Sequence, residues 1–298
     1  MVVVNKILVV LDVYNDYRDD PAHQPAEIIK ALALITDRRK AELFLLGCGF
    51  EEFLHDSYSI FSEEAADQRK VFCREMERRL QVFVDTLNTQ GIKTDYRVHW
   101  TYPRYEQIAK EARELDVDLV IQHINLRSAH QRHNLSHDSW QLIKTCRQPL
   151  LLIKDNEWPE VPVVLAAVDP AHSHHKPGGL DFNILNTAIE TSNALGGRLH
   201  VLHAYSGSAR AFADAESIRN AHSEALDGLL ADYAIAADDI HLIDETPVNA
   251  ILQSQQALQA SIVVIGALSR SRIAEAIIGN TANKILDYVK SDLYIIRP

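Results

Sequence analysis

The segment best equipped to hold an anion runs from Gly266 to Thr281: Gly266-Ala-Leu-Ser269-Arg270-Ser-Arg272 at one end and Gly279-Asn280-Thr281 at the other. Glycine lets a backbone approach a phosphate closely. A helical pattern (Ala282, Ile285, Leu286, Val289) begins directly after Thr281, and the first N–H groups of a helix lack intrahelical partners and carry the positive end of its dipole. Arg270 and Arg272 add positive charge, although a Ser-Arg-Ser-Arg loop is more often simply solvated. The bland alternative is a structural Gly-Asn-Thr cap on an empty crevice. Asp169, which closes an apolar run upstream, is the acid expected to face the same crevice.

Histidines suggest a second kind of chemistry. Of the 14 in the chain, His123, His130, His133 and His137 crowd one stretch, and His172, His174 and His175 follow Asp169. Neutral imidazoles bind zinc when three or four converge, commonly with a carboxylate such as Asp138. The spacing matches no compact zinc motif, so solvated loop histidines are the default and any metal stays unassigned. His200 and His203 read as packing or sheet-face residues. No G-x4-G-K-[ST], G-x-S-x-G or H-E-x-x-H occurs. Cys48, Cys73 and Cys146 form neither a C-x-x-C nor an even set, which disfavours a disulfide framework, and Cys146 reads as core. These features together point away from an enzyme.

The elements that must position these residues repeat once. Ile7–Asp12 is echoed by Val163–Asp169, about 157 residues on. Helical patterns follow at Pro25–Arg38 and Phe182–Leu195, the second stopped by Gly196-Gly197. Next come the runs Ala41–Gly47 and Arg198–Tyr205, and then long charged helices around Glu63–Thr89 and Ala211–Tyr233. Strands at Thr94–Trp100 and Ile240–Ile243 lead through Pro103 and Pro247 to helices, and the runs Asp118–Ile124 and Ser261–Leu268 come after them. Each half ends with a helix, Ser139–Cys146 or Thr281–Val289, and a final run, Pro149–Lys154 or Leu293–Arg297. Short β-branched runs alternating with helical periodicity predict parallel strands joined by helical crossovers. The fold class is therefore α/β: two tandem doubly wound parallel-sheet domains, residues 1–156 and 160–298, with the seam in the Pro- and acid-rich segment 155–162. In such a sheet the ligand crevice lies beyond the carboxyl ends of the first and fourth strands.

Composition narrows the partners. The 298 residues carry 41 acids against 30 Lys plus Arg, a formal net charge of −11. The first 158 residues hold 25 acids and 21 bases and the remainder 16 and 9, so neither half is basic and neither nucleic acid nor an anionic membrane is an expected partner. No apolar run approaches the ~20 residues a bilayer span needs, and the start of the chain lacks a signal peptide's apolar stretch. A reducing cytoplasm is the expected location.

At Ile265-Gly-Ala-Leu-Ser-Arg, Gly279-Asn-Thr-Ala and Asp292-Leu-Tyr-Ile-Ile-Arg-Pro298 the chain resembles the universal stress proteins of the tandem, two-domain kind, and the resemblance covers essentially all of it. It implies a strand order of 3-2-1-4-5 and a motif G-x2-G-x9-G followed by Ser or Thr in members that bind nucleotides. Gly266 and Gly279 match its first and third glycines, Ser269 stands at the second, and Asn280 takes the Ser/Thr position with Thr281 next. Asp169 is similar to the acid facing adenine and ribose, and Val201 to the adenine-wall residue. In the first half Gln122, Asn125 and about Leu135 take the places of the glycines, so that copy is degenerate. The resemblance implies a cytoplasmic stress-response protein whose second half binds ATP, another adenine nucleotide or a similar small phosphate ligand, with Mg²⁺ as an accompanying ion and no robust catalysis. The alternatives are a slow ATPase and a stress protein that binds a metal or a lipid-like ligand. It further implies an internal pseudo-dimer through Leu150–Ile153 and Leu293–Ile296, and leaves room for a homodimer.

Overall fold

Runs of apolar, β-branched residues too short for helices become strands buried on both faces once helices cover a parallel sheet. The structure, a computed structural model, describes residues 4–12, 24–50, 63–124, 138–171, 179–207, 214–267 and 288–297. By internal contacts the chain divides into two units, Val3–Leu151 and Leu152–Pro298.

In the first unit β1 (Lys6–Leu11), α1 (Ala26–Leu34), β2 (Glu42–Gly49), α2 (Glu63–Thr89), β3 (Lys93–Trp100), α3 (Arg104–Glu114) and β4 (Leu119–His123) alternate, followed by α4 (138–145) and β5 (Leu150–Ile153), within which the division into units falls. The strand order is β3-β2-β1-β4-β5, and the recorded pairings β1 with β2, β1 with β4 and β2 with β3 are parallel. Ile7 to Leu11 of β1 are all buried, as a central parallel strand requires.

The second unit repeats the scheme with β6 (Val163–Val168), α5 (Leu180–Ala194), β7 (Arg198–Tyr205), α6 (Ala215–Leu230), a 3-10 turn (Ala237–Asp239), β8 (Ile240–Asp244), α7 (Pro247–Ala257), β9 (Ile262–Gly266) and β10 (Asp292–Ile296). Its order, β10-β9-β6-β7-β8, is the same 3-2-1-4-5 arrangement.

Local chemistry sets the ends of these elements. Asp214 caps α6 by accepting the Ser217 N–H at 2.8 Å, so the helix starts later than its amphipathic pattern alone suggests. Thr246 caps α7 with Pro247 in the first helical position, where the missing N–H costs nothing. Gly196, with φ +59°, closes α5; its N–H bonds Asn193 and the Gly197 N–H bonds Ser192, the double bond of a left-handed helix terminus. α3 and α7 finish in the same turn, but with Asp116 and Gln259 at φ 50° instead of glycine. Among the described residues no helix is long and apolar enough to cross a membrane.

The segment that follows β5 groups with the second unit for an identifiable reason. Asp292, fully buried at the start of β10, accepts hydrogen bonds from the Lys154 backbone N–H (2.9 Å) and from Trp158 Nε1 (2.8 Å), and Lys154 Nζ donates to the Val289 carbonyl. These donors offset much of the cost of burying a carboxylate.

Candidate functional site

In the second unit β6 and β9 are adjacent, with Val164 opposite Ile262 and Ala166 opposite Val264. Their carboxyl ends, Asp169 and Gly266, therefore lie beside each other where the connections diverge, the place at which such sheets open a crevice. Asp169 is about one-third exposed, and its backbone N–H donates to Asp181 Oδ1 at 3.0 Å, in the first turn of α5. Gly266 is pinned by packing: a Cβ there would lie 2.8 Å from Leu180 Cδ2 and 3.2 Å from Ile184 Cδ1. Its bare backbone is thus what α5 needs in order to sit on β9. Val201 is fully enclosed in β7 between Ala166 and Ile240. Ser269, Arg270, Gly279, Asn280 and Thr281 lie outside the described residues, as do His130, His133, His137, His172, His174 and His175.

Two histidine pairs emerge that spacing did not reveal. His203, fully buried in β7 beside Val168, places Nδ1 3.1 Å from the Val168 carbonyl oxygen and 4.0 Å from Asp169 Oδ1. Its Nε2 lies 2.8 Å from His222 Nδ1 on α6, and the Tyr205 ring is 5.4 Å from the His222 ring. The other pair lies on the opposite face of β7, three residues back along the strand. There His200 Nδ1 is 3.1 Å from His241 Nε2 and 3.4 Å from Asp239 Oδ1. Burial holds both His200 and His241 below the usual imidazole range, against the opposing pull of Asp239. His200 and His203 are thus the buried sheet-face residues the sequence suggested, and their partners are what it missed. Among the described residues no group of three or more His, Cys, Asp or Glu could hold a metal ion.

The equivalent end of the first unit is built differently. Arg104 Nη1, at the start of α3, lies 3.9 Å from Asp12 Oδ2, so a guanidinium faces the strand-end acid. The ladder also corrects the alignment of the halves. The Asp118 N–H bonds the Lys6 carbonyl as the Ser261 N–H bonds that of Val163; counting five residues onward, His123 and not Gln122 stands in the place of Gly266. Similarly, Thr101 bonds Gly49 as Glu245 bonds Tyr205, making Gly49 the counterpart of Tyr205. Phe72 and Met76 of α2 fill the space above Gly49, where a Cβ would meet Phe72 Cε1 at 2.3 Å and Met76 Cε at 2.8 Å. Burial pushes the nearby Cys48 thiol up to about 11, which leaves it an inert core residue.

Comparison with known proteins adds to this geometry. The model of the universal stress protein family matches residues 179–297, which include Val201 and the whole Gly266–Thr281 segment. This part of the chain belongs to the universal stress protein family. Universal stress protein E of Escherichia coli K12 is 28% identical over 224 residues, covering 70% of this chain and 69% of that one. The universal stress protein E homolog of Haemophilus influenzae is 21% identical over 306 residues, covering 98% and 97%. A crystal structure of a putative universal stress protein from Pseudomonas aeruginosa UCBPP-PA14 superposes with a TM-score of 0.72 at 22% identity, covering 100% of this chain and 94% of that one. That likeness confirms the tandem α/β fold. Over both units the chain is accordingly similar to tandem universal stress proteins, universal stress protein E among them.

Proposed function

We propose that the second unit binds an adenine nucleotide or a related small phosphate ligand, in a stress-response role and without robust turnover. The observation carrying this reading is the adjacency of β6 and β9, which brings Asp169 and Gly266 to one strand-end crevice. From Gly266 the chain enters the Gly-, Arg- and Asn-Thr-bearing segment suited to an anion. The first unit is read as having given up the same role, because Arg104 faces Asp12 and His123 replaces the strand-end glycine.

The test is calorimetry with ATP. Gly279→Val is expected to abolish binding with the thermal transition preserved; unchanged affinity overturns the reading. Phosphate release in the presence of Mg²⁺ decides the slow-ATPase alternative, and elemental analysis of untagged protein decides the metal one.

A further inference from the structure

An edge strand pairs on one side only, so its side chains decide much of how firmly it stays docked. In the second unit that strand is β8, paired to β7. His241 of β8 stands opposite Leu202, two residues beyond His200, so both imidazoles project from the same face. His200 Nδ1 and His241 Nε2 lie 3.1 Å apart, and the rings stack with centroids 5.2 Å apart. Between two neutral rings this contact holds one hydrogen, given by one nitrogen to the lone pair of the other. One added proton keeps the bond, since a cationic ring still donates to a neutral one. A second puts an N–H on both nitrogens, facing each other across 3.1 Å, and stacks two positive rings. Asp239 Oδ1, 3.4 Å from His200 Nδ1, can then accept the His200 hydrogen, so the turn before β8 keeps a partner while the strand loses one.

The charges acting on the pair come from its own two strands and this turn. Arg198 of β7 reaches Asp239 Oδ1 at 3.4 Å, Asp238 beside it is exposed, and Asp244, at the far end of β8, accepts the Gly207 N–H. β6 and α7, both packed against β7, have no ionisable residue. α5 and α6 lie on the opposite face, under Gly266 and at His203.

The first unit ties its edge strand differently. The backbone alignment that matches Gly49 to Tyr205 and Thr101 to Glu245 puts Phe44 in the place of His200 and Arg97 in the place of His241. Arg97 Nη1 lies 2.7 Å from Glu111 Oε2, a buried carboxylate on α3 that Gln107 Nε2 and His99 Nε2 also approach, at 2.9 and 2.8 Å. The guanidinium keeps its charge, and a proton on His99 adds attraction to Glu111, so acid tightens this tie.

We propose that His200 and His241 form an acid-operated latch on β8: the neutral pair ties the strand to β7, and its double protonation lets β8 open locally while β3 stays docked. The latch is independent of the ligand reading above.

The test is amide hydrogen exchange of the ligand-free full chain at about pH 7.5 and about pH 5.5, corrected for the intrinsic rate at each pH. Amides of β8 should lose ~10-fold more protection on acidification than those of β3, the effect of one linked proton through one pH unit. Their exchange should also ignore low denaturant, the mark of a local opening. His200→Phe, which installs the first unit's residue, should abolish the extra loss. Equal losses on β3 and β8, exchange of β8 that follows denaturant as β6 does, or a loss unchanged in His200→Phe would each overturn the latch. Imidazole nitrogen NMR on the wild type needs no variant: both rings should gain protons over the pH range in which β8 loses protection, and a loss completed while either ring is still neutral sinks the proposal.

Discussion

The two units share order, crossovers and helix-terminating turns, yet they spend the ends of their strands on opposite things. In the first, Arg104 faces Asp12, His123 occupies the strand-end glycine position, and Phe72 with Met76 covers Gly49. In the second, Gly266 is kept, Tyr205 stands where Gly49 does, and a hydrogen-bonded histidine pair reaches toward Asp169. A duplicated scaffold can therefore keep its backbone ladder while its strand ends diverge, because the ladder depends on main-chain bonds and the strand ends on a handful of side chains.

The sharpest way to break this contrast is at the strand-end position itself. Gly266→Val drives a side chain into Leu180 and Ile184 and should cost ~1–3 kcal/mol, the range for overpacking. His123→Gly in the first unit should cost only ~0.5–1 kcal/mol, the entropy of a strand glycine. Denaturant titration of both variants reads the difference; equal losses would mean that the two positions are not packed as described.

Acid sharpens the comparison next. Burial keeps His200 and His241 below the ordinary imidazole value in the folded state, so the unfolded chain binds protons first as the pH falls. Stability is therefore full above ~pH 6.5 and declines as acid approaches the lowered folded values. Thermal melts at about pH 7.5 and about pH 5.5 should show the wild type losing more than His200→Phe. A variant that loses as much as the wild type would remove this pair as the cause.

The smallest effect should be symmetric. Asp116 and Gln259 hold left-handed backbone at φ 50° in equivalent turns, a conformation costing a non-glycine residue ~1–2 kcal/mol. Asp116→Gly and Gln259→Gly should each stabilise the chain by up to ~1 kcal/mol in chemical denaturation, once the extra freedom of an unfolded glycine is subtracted. A gain in one turn and not the other would show that the duplication has diverged even there.

Much of the architecture was legible because strand and helix periods are local. Arg198–Tyr205 and Glu63–Thr89 fall where the pattern puts them, and the strand-end acids Asp12 and Asp169 were visible from the apolar runs they close. Helix ends were less legible: α6 runs over 215–230 where its pattern extends over 211–233, since the cap at Asp214 and not amphipathicity sets its start. The site was legible only in part. His203 and His222 stand 19 residues apart on a strand and a helix, and nothing in their spacing shows that they touch. The His123 assignment slipped by one residue because two apolar runs can be laid side by side in more than one way, whereas the backbone bond from Asp118 to Lys6 allows only one. A polar residue alternating with apolar ones inside a buried strand, as His203 does in β7, was the available signal.

The central claim is that one copy holds the ligand and the other has closed. The most direct test is the stoichiometry of ATP binding to the intact chain, measured calorimetrically for the wild type, Asp169→Ala and Asp12→Ala. The account predicts one ATP per chain, an affinity at least ~10-fold weaker in Asp169→Ala, the scale of one lost ligand contact, and no change in Asp12→Ala. Two ATP per chain, none, or a loss confined to Asp12→Ala would contradict it.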